Sequence, residues 1–444
     1  MGYNSGAGNS RSDRERGELS GRRSSWWKWL RPGIGVKRWA LVLASGLILT
    51  GMGLNLLFHR MALYSRALLG RSPLFPDWVW GLALVGLGTG LGILGLLRMN
   101  RALVSPFLRD PDCLADTLYR YRKGAQGPKV VAIGGGHGLA TLLRGLKAYT
   151  SNITAIVTVA DDGGSSGRLR RALGVLPPGD FRNCIAALAD DEALMAQLFQ
   201  YRFPTTGGDV GLDGHSFGNL FITAMAEVTG SFERALMESS RVLAIRGEVL
   251  PSTLHNVTLM GDLREETSPE GVRRVAGEST LTEARGVIER VYLEPDDVPA
   301  YPRAVRAILE ADLVVAGPGS LYTSVLPNLL VREIAQAIAA TRALRVYVCN
   351  VATQRGETDG YSVGDHIAAL ERHVGRGLFP IVLANDNFAY ADRLPEGVEP
   401  PRLTVPPDAA YTLITADLVD PQRPWRHDSE KLARALMRML EKRR

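Results

Sequence analysis

Cysteine is scarce in this chain: Cys113, Cys184 and Cys349 lie far apart within 444 residues. Neither a disulfide framework nor a CxxC metal site is indicated, so we expect a reducing compartment. The sequence also lacks the HExxH spacing of zinc hydrolases and any recognisable order of Ser, His and Asp for nucleophilic catalysis. Zinc hydrolysis and triad chemistry therefore have no support in the sequence.

The chain has no internal repeat of fixed period and no evident module for stacking nucleobases. Its net charge of +6 favours an anionic partner, but the basic residues concentrate towards the amino end. We therefore do not expect nucleic acid as a partner. With 45% hydrophobic and 22% charged residues, the composition is that of a folded protein with a large core.

Long apolar runs are present near the amino end. The uncharged runs Trp39–Phe58 and Trp78–Leu97 are each long enough to cross about 30 Å of hydrocarbon, although a glycine-rich buried helix is the alternative for the second. We predict a disordered basic leader at residues 1–37, two transmembrane helices at 38–98 and a juxtamembrane linker at 99–128. Lys and Arg are frequent outside the two runs and sparse between them, which predicts a multi-pass protein of the cell membrane with both termini cytoplasmic.

Residues 129–444 alternate between short β-branched runs and helical patterns, which predicts a doubly wound α/β domain with a parallel sheet, also expected to be cytoplasmic. The predicted strands are Val130–Ile133, Ile153–Val159, Leu313–Ala316, Arg345–Cys349 and Ile381–Ala384. A β-rich excursion is predicted around Val249–Met260 and Val287–Leu293, and a basic helix at Ser429–Arg444.

A glycine-rich turn follows the first of these strands. Gly134, Gly135 and Gly136 allow a tight turn, and the helical pattern that resumes at Leu139 would direct its free N–H groups at a phosphate. The match to the dinucleotide fingerprint is partial, because Leu139 stands where the third glycine belongs. A tight packing turn without a ligand is the alternative.

Two adjacent carboxylates, Asp161 and Asp162, follow the second predicted strand, at the edge where open α/β sheets bind ligands. They are suited to holding Mg²⁺, to accepting from a ribose hydroxyl, or to acting as a base. Gly163, Gly164 and Ser165 continue the loop. A solvated turn is the alternative, since Asp and Gly are ordinary turn residues.

A predicted helix start carries Asp180, Arg182 and Asn183, where an arginine fork and an amide suit a phosphate or a base. The alternative for Asp180 is a simple helix cap. Another helix start carries His215 and Asn219, for which a ligand-facing role competes with a structural one.

A second candidate anion-binding turn follows the strand at Leu313–Ala316. It contains Gly317 and Gly319, with Ser320 as a hydroxyl donor and Tyr322 available to stack or to form a hydrogen bond. An ordinary strand-to-helix turn is the alternative.

Six ordered blocks carry a resemblance: IGGGHG, TVADDGGSSGRLR, PPGDFRNC, HSFGN, GPGSLYTSVLPNLL and CNVATQRGETDGYS. They are similar to the signature blocks of the bacterial gluconeogenesis factor (YvcK-type) family, which is related to 2-phospho-L-lactate transferase and is therefore CofD-like. The resemblance implies a Rossmann-like fold, a nucleotide diphosphate ligand of the UDP-sugar kind, and a role in cell shape and wall integrity during gluconeogenic growth.

The resemblance also implies which residues contact the ligand. They are Gly135, Gly136, Asp161, Asp162, Asn183, Asn219 and Ser320. The chain departs from the family pattern at His137, where Thr is expected, and at Arg355, where Pro is expected. A ring N–H of His137 is a substitute for the hydroxyl contact to phosphate.

These observations favour a membrane-tethered cytoplasmic factor that binds a nucleotide sugar and regulates morphogenesis. The enzymatic alternative is a Mg²⁺-dependent transferase that moves a phosphoryl-linked group from a nucleotide diphosphate. In that alternative Asp161, Asp162 and His215 are the catalytic candidates, and Asp162 is the metal ligand. Whether turnover occurs and whether the chain forms a homo-oligomer are left open. A third alternative, an NAD-linked oxidoreductase, is disfavoured because the DDGGSSG loop suits phosphate better than nicotinamide chemistry.

Overall fold

The computed structural model describes residues 36–63, 77–104, 127–189, 193–204, 211–264, 271–284 and 286–443. The chain divides into two compact units, Met1–Tyr119 and Arg120–Arg444. Nearly all of the predicted basic leader and most of the predicted linker lie outside the described residues. Each unit is described by itself.

The first unit contains two long helices, α1 (Val36–Leu63) and α2 (Asp77–Val104). Glycine allows them to pack closely: a Cβ on Gly46 would lie 2.5 Å from the amide nitrogen of Gly92, and one on Gly88 would lie 2.5 Å from that of Thr50. Small residues at helix contacts are typical of membrane helix pairs. Much of the remaining surface is apolar, and the side chains of Leu41 and Leu97 are more than 60% exposed.

Within the described residues, one segment is both long and apolar enough to cross a membrane, Gly81–Met99. The apolar part of α1, Trp39–Asn55, is shorter than such a span. The prediction of two transmembrane helices is therefore matched by two helices, of which one has the required apolar length. The membrane assignment itself stays a prediction.

The second unit is built on a parallel sheet, as predicted. Among the described residues it has seven strands in the order β10-β9-β8-β7-β1-β2-β3. Their bounds are β1 (Val130–Gly134), β2 (Ile153–Val157), β3 (Glu248–Pro251), β7 (Leu313–Ala316), β8 (Leu344–Val348), β9 (Ile381–Asn385) and β10 (Thr412–Ala416). Strands β1, β2, β7 and β8 are almost entirely buried, as expected for a parallel sheet that is covered on both faces.

The strand order reverses at β1. The chain proceeds outward from β1 to β2 and β3, and then returns to place β7 on the other side of β1, with Ile133 paired to Ala316. This topological switch point is the position at which open α/β sheets bind ligands. The loops after β1 and β7 therefore meet at the most favourable place for a site.

Helices connect and cover these strands. They are α3 (Gly136–Leu146), α4 (Gly164–Leu173), α5 (Gly179–Leu188), α6 (Ala193–Gln200), α7 (Phe217–Thr229), α8 (Phe232–Val242), α9 (Glu278–Glu283), α10 (Pro302–Leu309), α11 (Leu326–Leu329), α12 (Arg332–Ala340), α13 (Val363–Val374) and α14 (Ser429–Arg443). A π-helical turn, Leu321–Val325, precedes α11. Helix α3 buries Leu139, Leu142, Leu143 and Leu146, the spacing of an amphipathic helix packed on the core.

A small antiparallel sheet interrupts the chain between β3 and β7. It consists, within the described residues, of β4 (Thr258–Arg264), β5 (Val272–Ala276) and β6 (Val287–Glu294) in the order β5-β4-β6. The predicted β-rich excursion is thus present. Its predicted beginning at Val249 was wrong, because that residue belongs to β3 of the main sheet.

Several element ends differ from the predictions, and one strand was not predicted. Strands β1 and β9 extend one residue further, to Gly134 and Asn385, and β8 begins and ends one residue earlier, at Leu344 and Val348. The predicted strand Ile153–Val159 ends at Val157, and the helix expected from Leu139 already begins at Gly136. Strand β10 was missed: it lies at the edge of the sheet and its side chains are half-buried or exposed, so the sequence has no buried apolar run there.

Candidate functional site

A cavity of about 720 Å³ lies at the carboxyl edge of the main sheet, beside the switch point. It is lined by the loops that follow β1, β2, β7 and β8, and by two segments near Pro395 and Trp425. Its volume is in the usual range for small-molecule sites. Of the predicted site residues, it is lined by Gly135, Gly136, His137, Asp161, Asp180, Gly319 and Ser320.

The first glycine turn enters the cavity at the start of α3. Gly136 has a φ of +61°, a left-handed conformation that favours glycine. Gly135 is the N-cap residue and supplies no side-chain cap to the first turn of α3. The backbone N–H groups at this helix start are suited to an anion.

The second glycine turn packs directly against the first. A Cβ on Gly138 would lie 2.4 Å from the carbonyl oxygen of Pro318, so only glycine permits this approach. Asn350 holds the second turn from the end of β8: its Oδ1 accepts from the amide of Gly319 at 3.1 Å, and its Nδ2 donates to the Gly319 carbonyl at 2.9 Å. The Ser320 hydroxyl donates to Oε1 of Gln354 at 2.7 Å.

The buried side-chain amide of Asn328 stabilises the first glycine turn through hydrogen bonds. Asn328, which is fully buried, donates from Nδ2 to the carbonyl of Gly134 at 2.9 Å and to that of Ser324 at 2.8 Å. Asn328 lies in the block GPGSLYTSVLPNLL but was not predicted as a site residue. Its role became visible only because the π-helical turn and α11 pack beneath β1.

Three carboxylates face the cavity: Asp161, Asp180 and Glu278. Burial raises the pKa of Asp180 to about 7, with the nearby charge of Asp161 adding to the effect. Burial also raises the pKa of Asp161, and it raises that of Glu278 well above the usual range, where Asp161 and Asp180 contribute further. Oε2 of Glu278 has no hydrogen-bond partner within the described part of the chain. Ionising all three carboxyl groups together is therefore unfavourable, because buried like charges repel one another.

These donors fit a magnesium ion only in part. Carboxylate oxygens are its preferred ligands, but the described residues contain no group of three His, Cys, Asp or Glu side chains close enough to hold a metal. Magnesium in nucleotide sites is commonly held by one or two carboxylates together with phosphate oxygens. Asp161 and Asp180 suit that arrangement.

The two adjacent aspartates face different surroundings. Oδ1 of Asp161 accepts from the amide of Gly163 at 2.9 Å beside the cavity. Oδ1 of Asp162 accepts from both the amide and the hydroxyl of Ser279, each at 2.9 Å, and so fixes the first turn of α9. The structure places Asp162, predicted as the metal ligand, in this capping contact and not among the residues that line the cavity.

His215 lies in a hydrogen-bonded cluster outside the cavity lining. Its Nδ1 lies 2.9 Å from the Ser165 hydroxyl, and its Nε2 accepts from Nε of Arg168 at 3.2 Å. Asn219 donates to the same hydroxyl at 3.1 Å. Because Arg168 occupies Nε2, the other ring nitrogen carries the proton, and both ring nitrogens are engaged. Burial and Arg168 lower the pKa of His215, which favours the neutral ring.

Several other predicted contacts also lie outside the cavity lining. Arg182 and Asn183 are buried and joined by a hydrogen bond of 2.8 Å from Nη2 of Arg182 to Oδ1 of Asn183. The Tyr322 hydroxyl lies 2.9 Å from that of Tyr361. The remaining residues of this group are Gly134, Gly163, Gly164 and Gly317, which shape the turns. The contacts of all these residues with a ligand stay predictions.

One part of the cavity lining was not predicted from the sequence. It includes Trp425, 45% exposed, with Arg426 and His427, and it also includes Arg355. Burial, followed by the charge of Arg426, lowers the pKa of His137, which also lines the cavity. The block PWRHD that carries these residues follows β10, the strand the sequence analysis missed. Without that strand, the sequence offered no reason to place the block at the site.

Comparison with known proteins identifies similar sequences and a similar solved structure. Residues 130–442 match the family model described as 2-phospho-L-lactate transferase CofD. A putative gluconeogenesis factor of Nostoc sp. is 49% identical over 395 residues, covering 87% of this chain and 84% of that protein. The gluconeogenesis factor of Bacillus subtilis is 50% identical over 260 residues, covering 59% of this chain and 79% of that protein. A crystal structure of a UPF0052 family protein from Bacillus halodurans, 43% identical, covers 71% of this chain and 100% of that chain with a TM-score of 0.63.

Proposed function

The chain belongs to the gluconeogenesis factor family, whose globular part is a CofD-type domain, and on that premise we propose that it binds a nucleotide sugar of the UDP-sugar class. The bound form acts as a regulator of cell morphogenesis and wall integrity during gluconeogenic growth. The observation that carries the binding proposal is the contact between the two glycine turns at Gly138 and Pro318. A diphosphate fits there because both turns present backbone to the cavity where a strand order reverses.

The walls of the cavity offer complementary groups for the rest of such a ligand. Trp425 presents an aromatic ring that suits a nucleobase, and Arg355 and Arg426 supply positive charge for the diphosphate. Asp161 and Asp180 also line the cavity and would hold Mg²⁺ together with phosphate oxygens. A single magnesium ion would offset negative charge on both the carboxylates and the diphosphate.

The direct test is isothermal titration of UDP-N-acetylglucosamine into the detergent-solubilised full chain, with and without Mg²⁺. We expect saturable heat that strengthens with Mg²⁺, and a weaker response in the Ser320→Ala variant, which alters one polar group at the second turn. Lys442→Ala, on the last turn of α14, is the matched control. Absence of heat at saturating ligand would overturn the proposal.

Group transfer is a second candidate function, favoured by the three carboxylates with raised pKa values that line the cavity. In such a reaction an acceptor hydroxyl attacks the sugar-linked phosphorus, the bond to the bridging oxygen breaks, and uridine monophosphate leaves. Phosphorus NMR of the titration mixture distinguishes the two functions. Binding without release of the monophosphate supports the regulator, whereas Mg²⁺-dependent release that EDTA stops supports the transferase.

We also propose that α1 and α2 anchor the protein in the cell membrane as a hairpin with cytoplasmic termini. Close glycine packing and exposed leucines support this, together with the apolar length of Gly81–Met99. Membranes from expressing cells, washed with alkaline carbonate, should retain the full chain in the pellet. The chain that begins at Arg120 should appear in the supernatant, and release of the full chain would contradict the anchor.

A further inference from the structure

A second cavity, of about 770 Å³, lies at the opposite edge of the main sheet. It is bounded by the small sheet, by α12, by the C-terminal end of α13 and by the beginning of β8. The first cavity, beside the switch point, is called the nucleotide cavity below. Arg345 is the second residue of β8, whereas Asn350, which lines the nucleotide cavity, follows the end of that strand. Five residues of extended chain, about 16 Å, separate the two. The cavities are therefore distinct sites.

One face of the small sheet forms a wall of this second cavity. Arg274, Asp262 and Arg290 lie in a row across its three strands in the described structure, since Asp262 pairs with Arg274 on β5 and with Arg290 on β6. Tyr292 lies two residues beyond Arg290 and therefore on the same face. The intervening Val291 is buried in the core. The alternation directs the polar side chains to the cavity.

Positive charge dominates the lining, with five arginines against two aspartates. Some of it is neutralised: Arg274 lies 3.2 Å from Oδ1 of Asp262, and Arg376 lies 3.1 Å from Oδ2 of Asp408. Arg290 and Arg345 have no ion pair with any residue in the described part of the chain. Nη1 of Arg345 donates to the Ile338 carbonyl at 3.5 Å, and the remaining N–H groups of the two guanidinium groups can donate to an anion.

Tyr292 supplies an independent sign of a ligand. Its ring has the guanidinium of Arg274 at 5.5 Å and that of Arg290 at 6.0 Å, distances at which cations are attracted to aromatic rings. Its hydroxyl is buried without a hydrogen-bond partner among the described residues. An unsatisfied buried donor is unfavourable, and an anionic oxygen would satisfy it.

His373, also in the lining, makes the wall rigid and adds no charge. Nε2 of His373 accepts from the amide of Val291 at 2.9 Å, and its Nδ1 donates to the carbonyl of Ala369 at 2.6 Å. Burial lowers the pKa of His373, in agreement with a neutral ring. The histidine ties the end of α13 to β6, so Arg290 and Tyr292 are held on a fixed strand.

We propose that this arginine groove, defined by Arg274, Arg290, Tyr292 and Arg345, binds the phosphate group of a second ligand. Arg290 and Arg345 pair with the phosphate oxygens, and the Tyr292 hydroxyl donates to one of them. The chemistry is that of a phosphate ester, supplied by a soluble metabolite or by a phospholipid headgroup. The groove and the nucleotide cavity share the small sheet, because α9 carries Glu278 and lies between β5 and β6.

The test is titration of the full chain in neutral detergent with two probes, inorganic pyrophosphate and dihexanoyl phosphatidylglycerol below its micelle concentration. We expect saturable binding of at least one probe, and the probe that binds identifies the soluble or the lipid source. The double variant Arg290→Gln/Arg345→Gln should weaken that binding by at least about a hundredfold, since it removes two charge-assisted hydrogen bonds. Tyr292→Phe keeps the ring and should weaken it about tenfold.

Controls separate the groove from other anion sites. Arg306→Gln removes an exposed arginine of α10 that is paired with Glu310, and should leave binding unchanged. If Ser320→Ala weakens binding of a probe, that probe binds in the nucleotide cavity and not in the groove. The test therefore does not depend on whether the nucleotide cavity binds a nucleotide sugar. Binding of neither probe, or equal binding by the double variant and the Arg306 control, would overturn the proposal.

Discussion

Replacement of Asp180 by asparagine is expected to stabilise the ligand-free protein at about pH 8 and to abolish the strengthening of nucleotide-sugar binding by Mg²⁺. Burial and the neighbouring Asp161 raise the pKa of the Asp180 carboxyl to about 7 in the folded protein. In the unfolded chain the pKa is about 4. The charged form is therefore unfavourable in the fold, and the amide removes that cost while it also removes a proposed magnesium ligand.

The sign of the pH dependence follows from this difference. A raised carboxyl pKa means that folding favours the protonated group, so stability is lost as the pH rises from about 4 to about 7. A difference of about three units corresponds to about 4 kcal/mol, and the coupling to Asp161 and Glu278 reduces the expected gain to about 2–4 kcal/mol. The gain should be small near pH 4 and constant above pH 8.

Urea unfolding of the wild type and of Asp180→Asn across this pH range measures the effect. Asp386→Asn, an exposed change after the end of β9, is the matched control and should not alter the pH dependence. If Asp180→Asn is less stable than the wild type at pH 8, the ionised carboxylate is instead favoured by its contacts with the Gly136 amide and Arg182.

Alanine at Gly138 should have the second large effect, on both binding and stability. The added Cβ would lie 2.4 Å from the Pro318 carbonyl and 3.0 Å from Cα of Gly319, which are backbone atoms without a flexible end to move aside. The two glycine turns must therefore separate. Overpacking of this kind costs about 1–3 kcal/mol. A diphosphate bound against both turns should be held at least about a hundredfold more weakly, since small displacements at a preorganised site have large effects.

Gly211→Ala is the control for this change, because its added Cβ would have no atom within 4 Å. It should alter stability by no more than about 0.5 kcal/mol. Titration of UDP-N-acetylglucosamine and urea unfolding of both variants measure the two effects. Unchanged affinity in Gly138→Ala would show that the ligand does not contact both turns.

The sequence predicted the framework of the site well, because the relevant signals are local. Strand β1 and strand β7 are short buried runs, and each ends in a cluster of glycines that marks a close turn. The doubly wound order then places both turns at one edge. These features depend on hydrophobic pattern and turn chemistry within a few residues, which a single sequence reveals.

The assignment of individual carboxylates depended on distant residues and could not be made in the same way. Asp161 and Asp162 look equivalent in the sequence, but Asp162 is occupied by Ser279, which lies 117 positions later in the chain. Glu278, beside that serine, reaches the cavity from the small sheet. Neither contact has a local signal, because each depends on how the excursion packs on the main sheet.

The reversal of strand order at β1 also determines how the protein must fold. Val130 pairs with Ile153 on one side and with Leu313 on the other, so one neighbour of the central strand is close in the sequence and the other is distant. Pairings of long sequence separation form slowly, because much of the chain must be ordered before they are made. During synthesis the first glycine turn therefore emerges well before its partner. A ligand that needs both turns can bind only after β7 has docked beside β1, and it would then stabilise this long-range pairing.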